Sequence, residues 1–292
     1  MNHRVWRYLT RSLWIVMGLL TVAVTIFLFA YVFWKGKDVI SLSFLLEAPA
    51  GVPVGTDGGI FPALAGSVLS GGLSALIGGF FGIGAAAWLA FYAGEQRVFS
   101  RVLQLAIQGL SGIPSILFGL VAYTFLIYQM GLPRSLLCAS IAVAAMIVPF
   151  VAIRAEKVFC EKGQELMEVS ISLGLSREYA LRNLILPACL TELLSTTALG
   201  MAYGMGAVAP ILYTGAVMQA QIPTKLTDPF MSLPYHLYML VNNGFSMEYA
   251  YGTAFVLMAF LLCIQLLCKL AAYFREGAQW SLRRQERRRW WK

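Results

Sequence analysis

Long runs of apolar residues constrain this chain more than any other feature. Six runs reach the length of about 20 residues that an α-helix needs to cross a bilayer. Only 12% of the residues are charged, roughly half the share of a soluble domain. No segment alternates like a membrane β-strand, so the sequence predicts an all-α integral membrane protein with six transmembrane helices. The runs cover residues 12–34, 61–93, 102–130, 135–153, 188–217 and 248–273.

The distribution of basic residues predicts how these helices are oriented. Six spans place both ends of the chain on one side, and that side carries 18 of the 22 Lys and Arg residues. Because basic residues concentrate in cytoplasmic segments, both termini and the segment from 154 to 186 are expected in the cytoplasm. The first run is too long for a signal peptide and no small-residue cleavage site follows it, so a retained span is predicted.

One transmembrane domain is expected over the whole chain, 1–292, with a core at 58–274 and a basic tail at 275–292. The tail contains tryptophans as well as arginines. It could bind anionic lipid headgroups, or it could serve as a topogenic tail with interfacial tryptophans. Membrane lipid is thus a predicted partner, and nucleic acid is not.

A polar segment separates the fourth and fifth runs. Residues 164–173 have a helix-compatible composition, and Gly174 is predicted to end that helix because glycine readily adopts the left-handed conformation. Ser176 is placed to cap a second helix. Pro187 is predicted to break or kink the second helix where the next apolar run begins. A short helix, a glycine turn and a helix entering the bilayer are expected.

This segment resembles the cytoplasmic coupling loop of ABC importer permeases. That pattern is Glu-Ala-Ala, three residues, Gly, nine residues, Ile, one residue, Leu-Pro. Here Glu168, Gly174, Leu186 and Pro187 match with the spacing intact, while Leu184 replaces the isoleucine. The two alanines are also replaced, by valine and serine. An ordinary amphipathic loop helix is the alternative. The resemblance implies an ATPase-coupling set of Glu168, Ser172, Gly174, Leu186 and Pro187.

Three further stretches narrow the resemblance. They begin the second span, lie within the third, and close the last external loop, at residues 58–63, 111–120 and 232–238. In their order and spacing they resemble the phosphate ABC transporter permeases of the PstA type. The resemblance implies the type I ABC importer permease fold with a cytoplasmic coupling helix, in a bacterial cytoplasmic membrane. It also implies a heterodimer with a second permease, an ABC ATPase dimer, and an extracytoplasmic phosphate-binding protein.

Energy would have to come from a partner. The chain has no Gly-x-x-x-x-Gly-Lys-Ser/Thr phosphate loop, so it is not expected to be an enzyme or to hold a cofactor. ATP would be bound by the ATPase subunit.

Interrupted segments within the spans supply candidates for the translocation path. Proline inside the third span predicts a bent helix, which either lines a cavity or is only a structural kink. Arg154 could guide an anion leaving the pore, or it could simply snorkel to the interface. The candidates are Ser111, Gly112, Pro114, Ser115, Tyr203, Gly206, Pro210 and Arg154.

The fifth span departs from the family pattern. Related permeases usually carry Ala-Arg-Ala-x-Gly-Glu-Thr-Ala-Pro, whereas this chain has Tyr203 in place of the arginine and Ala207 in place of the glutamate. Losing both charges together fits a paired role, because one alone would be uncompensated in an apolar setting. Either the partner permease supplies positive charge, or the substrate is another small oxyanion or solute.

Two rival classes remain to be weighed. Gly109 and Ser111 form the short Gly-x-Ser of intramembrane serine proteases, which need a histidine at membrane depth; His236 is predicted in an external loop. A passive channel is the other rival, although a channel has no need of an ATPase-docking loop.

Overall fold

The structure is a computed structural model that describes residues 3–52, 55–94 and 97–290, with side chains of the last helix given as far as residue 271. The helices are α1 (His3–Gly36), α2 (Leu42–Leu46), α3 (Phe61–Phe91), α4 (Arg97–Ser111), α5 (Ser115–Ala122), α6 (Leu136–Val158), α7 (Gln164–Ser172), α8 (Arg177–Ala180), α9 (Leu186–Met205), α10 (Ala209–Leu212), α11 (Leu233–Asn242) and α12 (Met247–Trp290). Three π-helical segments lie at Tyr123–Gln129, Phe159–Gly163 and Leu181–Ile185. A small antiparallel pair joins β1 (Pro49–Ala50) to β2 (Asp57–Gly58).

The prediction of six spans is confirmed, with one correction. In the described residues five helices are long and apolar enough to cross a membrane, and the sixth span is the bent pair Arg97–Ser111 and Ser115–Gln129 when the two are counted as one. The sequence predicted a kink in this span, but its two helical parts are bent by 106° at the break between them. Pro114 lacks an N–H group, and the backbone leaves the helical conformation there, with ψ at 136°.

α3 and α6 form the centre of the bundle. Glycines of α3 allow the two helices to approach closely, since a methyl group at Gly78 would lie 2.5 Å from Ile147 and one at Gly82 would lie 2.8 Å from Val151. The glycine-rich composition of the second run therefore serves tight packing within the subunit. α1 packs chiefly along α12 and exposes most of its remaining surface.

The end of the bundle that the charge distribution predicts to face outward, called the outer end below, is closed by the segment between α10 and α12. This segment contains α11 and is not the plain loop that the sequence predicted. The Leu233 N–H donates to Ser67 Oγ at 2.8 Å, and Phe230, Met231 and Leu233 are fully buried. The N-terminus of α6 is capped by the same region, because the Leu136 N–H donates to the Asp228 carbonyl at 2.9 Å.

His236 was wrongly predicted to lie in an external loop. It is in α11 and fully buried. Burial lowers its pKa to about 4, because an apolar setting disfavours the charged imidazolium.

Candidate functional site

The loop between α6 and α9, predicted to be cytoplasmic and called the cytoplasmic loop below, has the glycine turn and the serine cap that the sequence predicted. Gly174 has φ at +77°, and the Leu175 N–H donates to the Ser170 carbonyl at 3.0 Å, closing the end of α7. The Tyr179 N–H donates to Ser176 Oγ at 3.3 Å, so Ser176 caps α8 as expected. The glycine turn and the serine cap are confirmed.

Two residues of the predicted coupling set meet on α7. Glu168 and Ser172 are both exposed, and Ser172 Oγ donates to the Glu168 carbonyl at 2.8 Å. This bond lies within one helix turn and leaves the Glu168 carboxylate facing solvent. Both side chains are therefore accessible to a partner.

The predicted break at Pro187 does not occur. Arg177–Met205 is one continuous span, with Leu186 as the first residue of α9 and Pro187 beside it. The π-helical segment just before it explains why: the Leu186 N–H donates to the Leu181 carbonyl, five residues back. Such a widened turn relieves the clash that proline makes with the preceding turn.

A buried cluster holds the loop against the membrane domain. Met167 and Ile185 pack with Phe159 of the adjoining π-helical segment and with Ala86 of α3. Gly163 is needed at this junction, because a methyl group there would lie 2.7 Å from Phe91 Cζ. An ion pair between Lys162 and Glu192 joins the loop to α9. The loop is thus packed against the bundle by apolar contacts and an ion pair.

The tip of the loop presents apolar side chains to solvent. Leu173 is 74% exposed, Val169 54% and Tyr179 52%. We call these residues, with Ile171 and Leu175, the coupling surface. Clustered exposed apolar side chains on an ordered loop mark an interaction site.

The bent span places four of the path candidates at its break. Ser111, Gly112 and Pro114 are exposed, and Ser115 begins α5 half-buried. Ser111 Oγ donates to the Gln108 carbonyl at 2.7 Å. His236 has no hydrogen-bond partner on either ring nitrogen in the described residues. Ser111 and His236 therefore form no nucleophile–base pair, which removes the basis of the protease alternative.

The fifth span is also interrupted. α9 ends at Met205, Gly206 is exposed, and Pro210 is buried in α10. α10 packs against α5, where a methyl group at Gly119 would lie 2.8 Å from the Pro210 carbonyl oxygen. The two interrupted segments therefore meet, and the contact lies at Gly119 and Pro210.

Two path candidates are joined by a residue that the sequence did not single out. Tyr203 and Phe150 stack with ring centroids 5.5 Å apart and planes at 21°. The Arg154 guanidinium lies 4.5 Å from the Phe150 centroid. Tyr203 is 53% exposed and Arg154 is exposed too. Phe150 and Arg154 are four residues apart and share a helix face. This spacing is the sequence feature that could have identified Phe150 as a neighbour of Arg154.

Residues 78–272 match the family described as the binding-protein-dependent transport system inner membrane component. The chain belongs to this family. It is the permease subunit of an ABC importer, and it is a multi-pass membrane protein.

Curated relatives of the permease refine this result. It is 25% identical over 260 residues to "Phosphate transport system permease protein PstA 2" of Mycobacterium bovis, covering 88% of this chain and 80% of that protein. It is 28% identical over 217 residues to "Probable phosphate transport system permease protein PstA" of Methanocaldococcus jannaschii, covering 72% and 74%. The resemblance to PstA-type permeases is confirmed.

A solved structure supports the fold of the permease. A chain of the MetNI methionine ABC transporter, in an inward-facing conformation, aligns with a TM-score of 0.60 at 17% identity. The alignment covers 71% of this chain and 92% of that one. The permease therefore has the type I ABC importer permease fold.

Proposed function

We propose that the permease forms half of the translocation path of an ATP-driven importer for inorganic phosphate. The coupling surface is the observation that supports an importer driven by ATP. It is apolar, exposed, and held on a loop that packs against the bundle, in which Glu168 and Gly174 keep the family spacing. The relatives named for phosphate transport support the substrate.

In this proposal the coupling surface binds a separate ABC ATPase, which binds and hydrolyses the ATP. Leu173 and Val169 become buried in that interface, and Glu168 offers a carboxylate beside them. The loop is continuous with α6 and α9 through π-helical segments. Movement of the ATPase is therefore transmitted to both spans.

The path itself is shared with a second, similar permease. An extracytoplasmic binding protein delivers phosphate at the outer end, and Arg154 draws the anion towards the cytoplasm. The Phe150 ring holds the Arg154 guanidinium by a cation–π contact, and Tyr203 stacks on Phe150. In this proposal both termini lie in the cytoplasm of a bacterial cell, and the distribution of Lys and Arg residues supports that orientation.

Uptake by the native complex tests the proposal. The complex is purified through a tag on this chain and reconstituted with its binding protein and ATP, and uptake of radiolabelled phosphate is measured. We expect ATP-dependent uptake and an ATPase subunit in the purified complex. Uptake that continues without ATP, or purification with no ATPase, overturns the coupling role.

A second candidate substrate is another small oxyanion. The observation in its favour is the absence of the arginine–glutamate pair at positions 203 and 207. Competition of phosphate uptake by excess sulfate or molybdate separates the two candidates. If phosphate is the substrate, the second permease carries an intramembrane arginine at the matching depth, and Tyr203 contributes a hydroxyl donor.

The paired-charge account makes a prediction for this position. Tyr203→Arg should reduce phosphate uptake, because a lone charge at membrane depth is costly and Ala207 cannot balance it. Tyr203→Arg with Ala207→Glu should reduce it less. A single variant that transports as well as wild type, or a double variant that is the poorer of the two, contradicts the account.

A further inference from the structure

The exposed polar residues of α4 fall on one helix face. At 100° per residue they occupy an arc of about 80°, with spacings of four, three, four and three positions. We call them the polar stripe: Arg97, Arg101, Gln104, Gln108 and Ser111. All five are exposed.

α4 extends from the cytoplasmic end of the bundle to its middle. Near its start, Trp88 of α3 donates from Nε1 to Ser100 Oγ at 3.3 Å. Trp88 lies one turn before Phe91, which packs on Phe159 beneath the cytoplasmic loop. Near its end, Leu110 packs against the cluster that contains Ile147, in the middle of α6. The 15 residues of α4 span about 22 Å.

The polar stripe cannot face lipid over this distance. Amide and guanidinium groups lose hydrogen bonds to water when they enter hydrocarbon, and polar groups at membrane depth face a protein interior or a water-filled cavity. In the described part of the chain, the side-chain amides of Gln104 and Gln108 have no hydrogen-bond partner. A different face of α4, with Val98, Val102 and Leu105, carries exposed apolar side chains suited to lipid or to the partner permease.

The chemistry of the stripe selects for anions. It carries two guanidinium groups at the cytoplasmic end, then two amides that each offer two N–H donors, then a hydroxyl group at the break. α4 contains no carboxylate. Anion pathways combine positive charge with hydrogen-bond donors in this manner.

We propose that the polar stripe of α4 lines the cytoplasmic half of the translocation path and conducts the anion from the break at Ser111 to the cytoplasm. This inference rests on the proposed function and assigns the exit route of its substrate. Along this route the amides of Gln104 and Gln108 replace water molecules of the anion's hydration shell. Arg101 and Arg97 form the positively charged opening of the path to the cytoplasm.

Thiol accessibility tests the route without any substrate. Single cysteines at Gln104 and Gln108, and at the control positions Val102 and Leu105, are introduced after the five native cysteines are replaced by alanine. The assembled complex in inverted vesicles is treated with sulfonatoethyl methanethiosulfonate, an anionic reagent. We expect Gln104→Cys and Gln108→Cys to react at least tenfold faster than both controls, at rates that change between nucleotide-free and ATP-trapped complexes.

Two outcomes overturn the proposal. One is protection of both glutamine positions in every nucleotide state, which would mean that the partner permease covers the stripe. The other is equal reactivity in all states, which identifies α4 as a helix lying in the membrane interface with its polar face to the cytoplasm.

Opposite charges introduced at one position provide the second test. Gln108→Glu and Gln108→Lys place opposite charges at the same site, so a general folding defect lowers phosphate uptake in both. We expect uptake by Gln108→Lys to exceed uptake by Gln108→Glu at least tenfold; equal loss in both contradicts the proposal. If wild type takes up no phosphate, the assignment of substrate fails, and the thiol experiment still decides the route.

Discussion

The two ends of this permease differ in how far their apolar side chains are buried. At the outer end, the segment between α10 and α12 folds back on α3 and fully buries Phe230, Met231 and His236. At the cytoplasmic end, the loop tip leaves Leu173 74% exposed and Val169 54% exposed. At the outer end this chain alone buries these side chains, whereas the cytoplasmic end presents an apolar surface that a second protein can bury. The difference indicates which end of the subunit offers a surface for a partner.

The largest expected effect lies at the outer end. Gly66→Leu places a side chain directly against the Met231 carbonyl oxygen, a backbone atom that cannot move aside. We expect a loss of about 3 kcal/mol or more in the free energy of unfolding, measured as thermal unfolding of the purified permease. Gly72→Leu is the matched control on the same helix, because no atom lies within 4 Å of a methyl group there. Equal destabilisation by both variants would show that the outer end is not packed in this way.

Acid should loosen the outer end through His236. Its pKa is about 4 in the fold, against an ordinary value of 6.5, so between these values the unfolded chain binds a proton that the folded chain does not. The stability that depends on neutral His236 is complete above pH 6.5 and is lost progressively as the pH falls towards 4, by about 3 kcal/mol.

Unfolding temperatures of wild type and His236→Leu, recorded between pH 7.5 and pH 4.5, measure this effect. We expect the unfolding temperature of wild type to fall relative to that of His236→Leu as the pH is lowered over that range. A constant difference would mean that His236 is not held neutral.

A charge on the coupling surface should weaken ATPase binding and leave the subunit stable. Burying a leucine contributes about 1.5–3 kcal/mol, so Leu173→Glu is expected to lower the affinity for the ATPase at least about tenfold. Co-purification of the ATPase measures this. Leu42→Glu is the control, since Leu42 is 73% exposed on α2 at the outer end. Equal co-purification with both variants would contradict the proposed docking site.

The smallest effect compares two glycine turns. Gly174 at the cytoplasmic end and Gly244 at the outer end have φ at +77° and +65°, and neither has an atom within 4 Å of an added methyl group. Replacing either with alanine costs about 1–2 kcal/mol of backbone strain alone. We expect only Gly174→Ala to reduce ATPase co-purification, since only that turn shapes the coupling surface. Reduction by both variants would indicate a general loss of stability.

Sequence predicted the cytoplasmic loop better than it predicted the outer end, for a physical reason. Gly174 and Ser176 act on their own backbone and near neighbours, so local chemistry fixes the turn and the cap. His236 is buried in α11, which packs against α3, far away in the chain, as well as against α12. A loop-like sequence carries no signal of that burial.

The bent span shows the same limit. Pro114 predicts an interruption because it lacks a donor, but the angle of 106° depends on where α5 packs. Gly119 sets that position by admitting the backbone of Pro210 from another span. Phe150 was missed because its stacking partner Tyr203 belongs to a different helix. The coupling and translocation roles of the candidate residues stay predictions.

The unbroken helical course from Leu136 to Ser172 makes α6 and α7 a lever. It runs for 37 residues, roughly 55 Å, from the capped outer end to the loop tip, with Phe150 and Arg154 partway along it. A tilt of about 5° about the outer end displaces Glu168 by about 4 Å but Phe150 by only about 2 Å, given a rise of 1.5 Å per residue. If the proposed ATPase tilts this helix, a displacement at the cytoplasmic face becomes about half as large at the stacked rings of Phe150 and Tyr203.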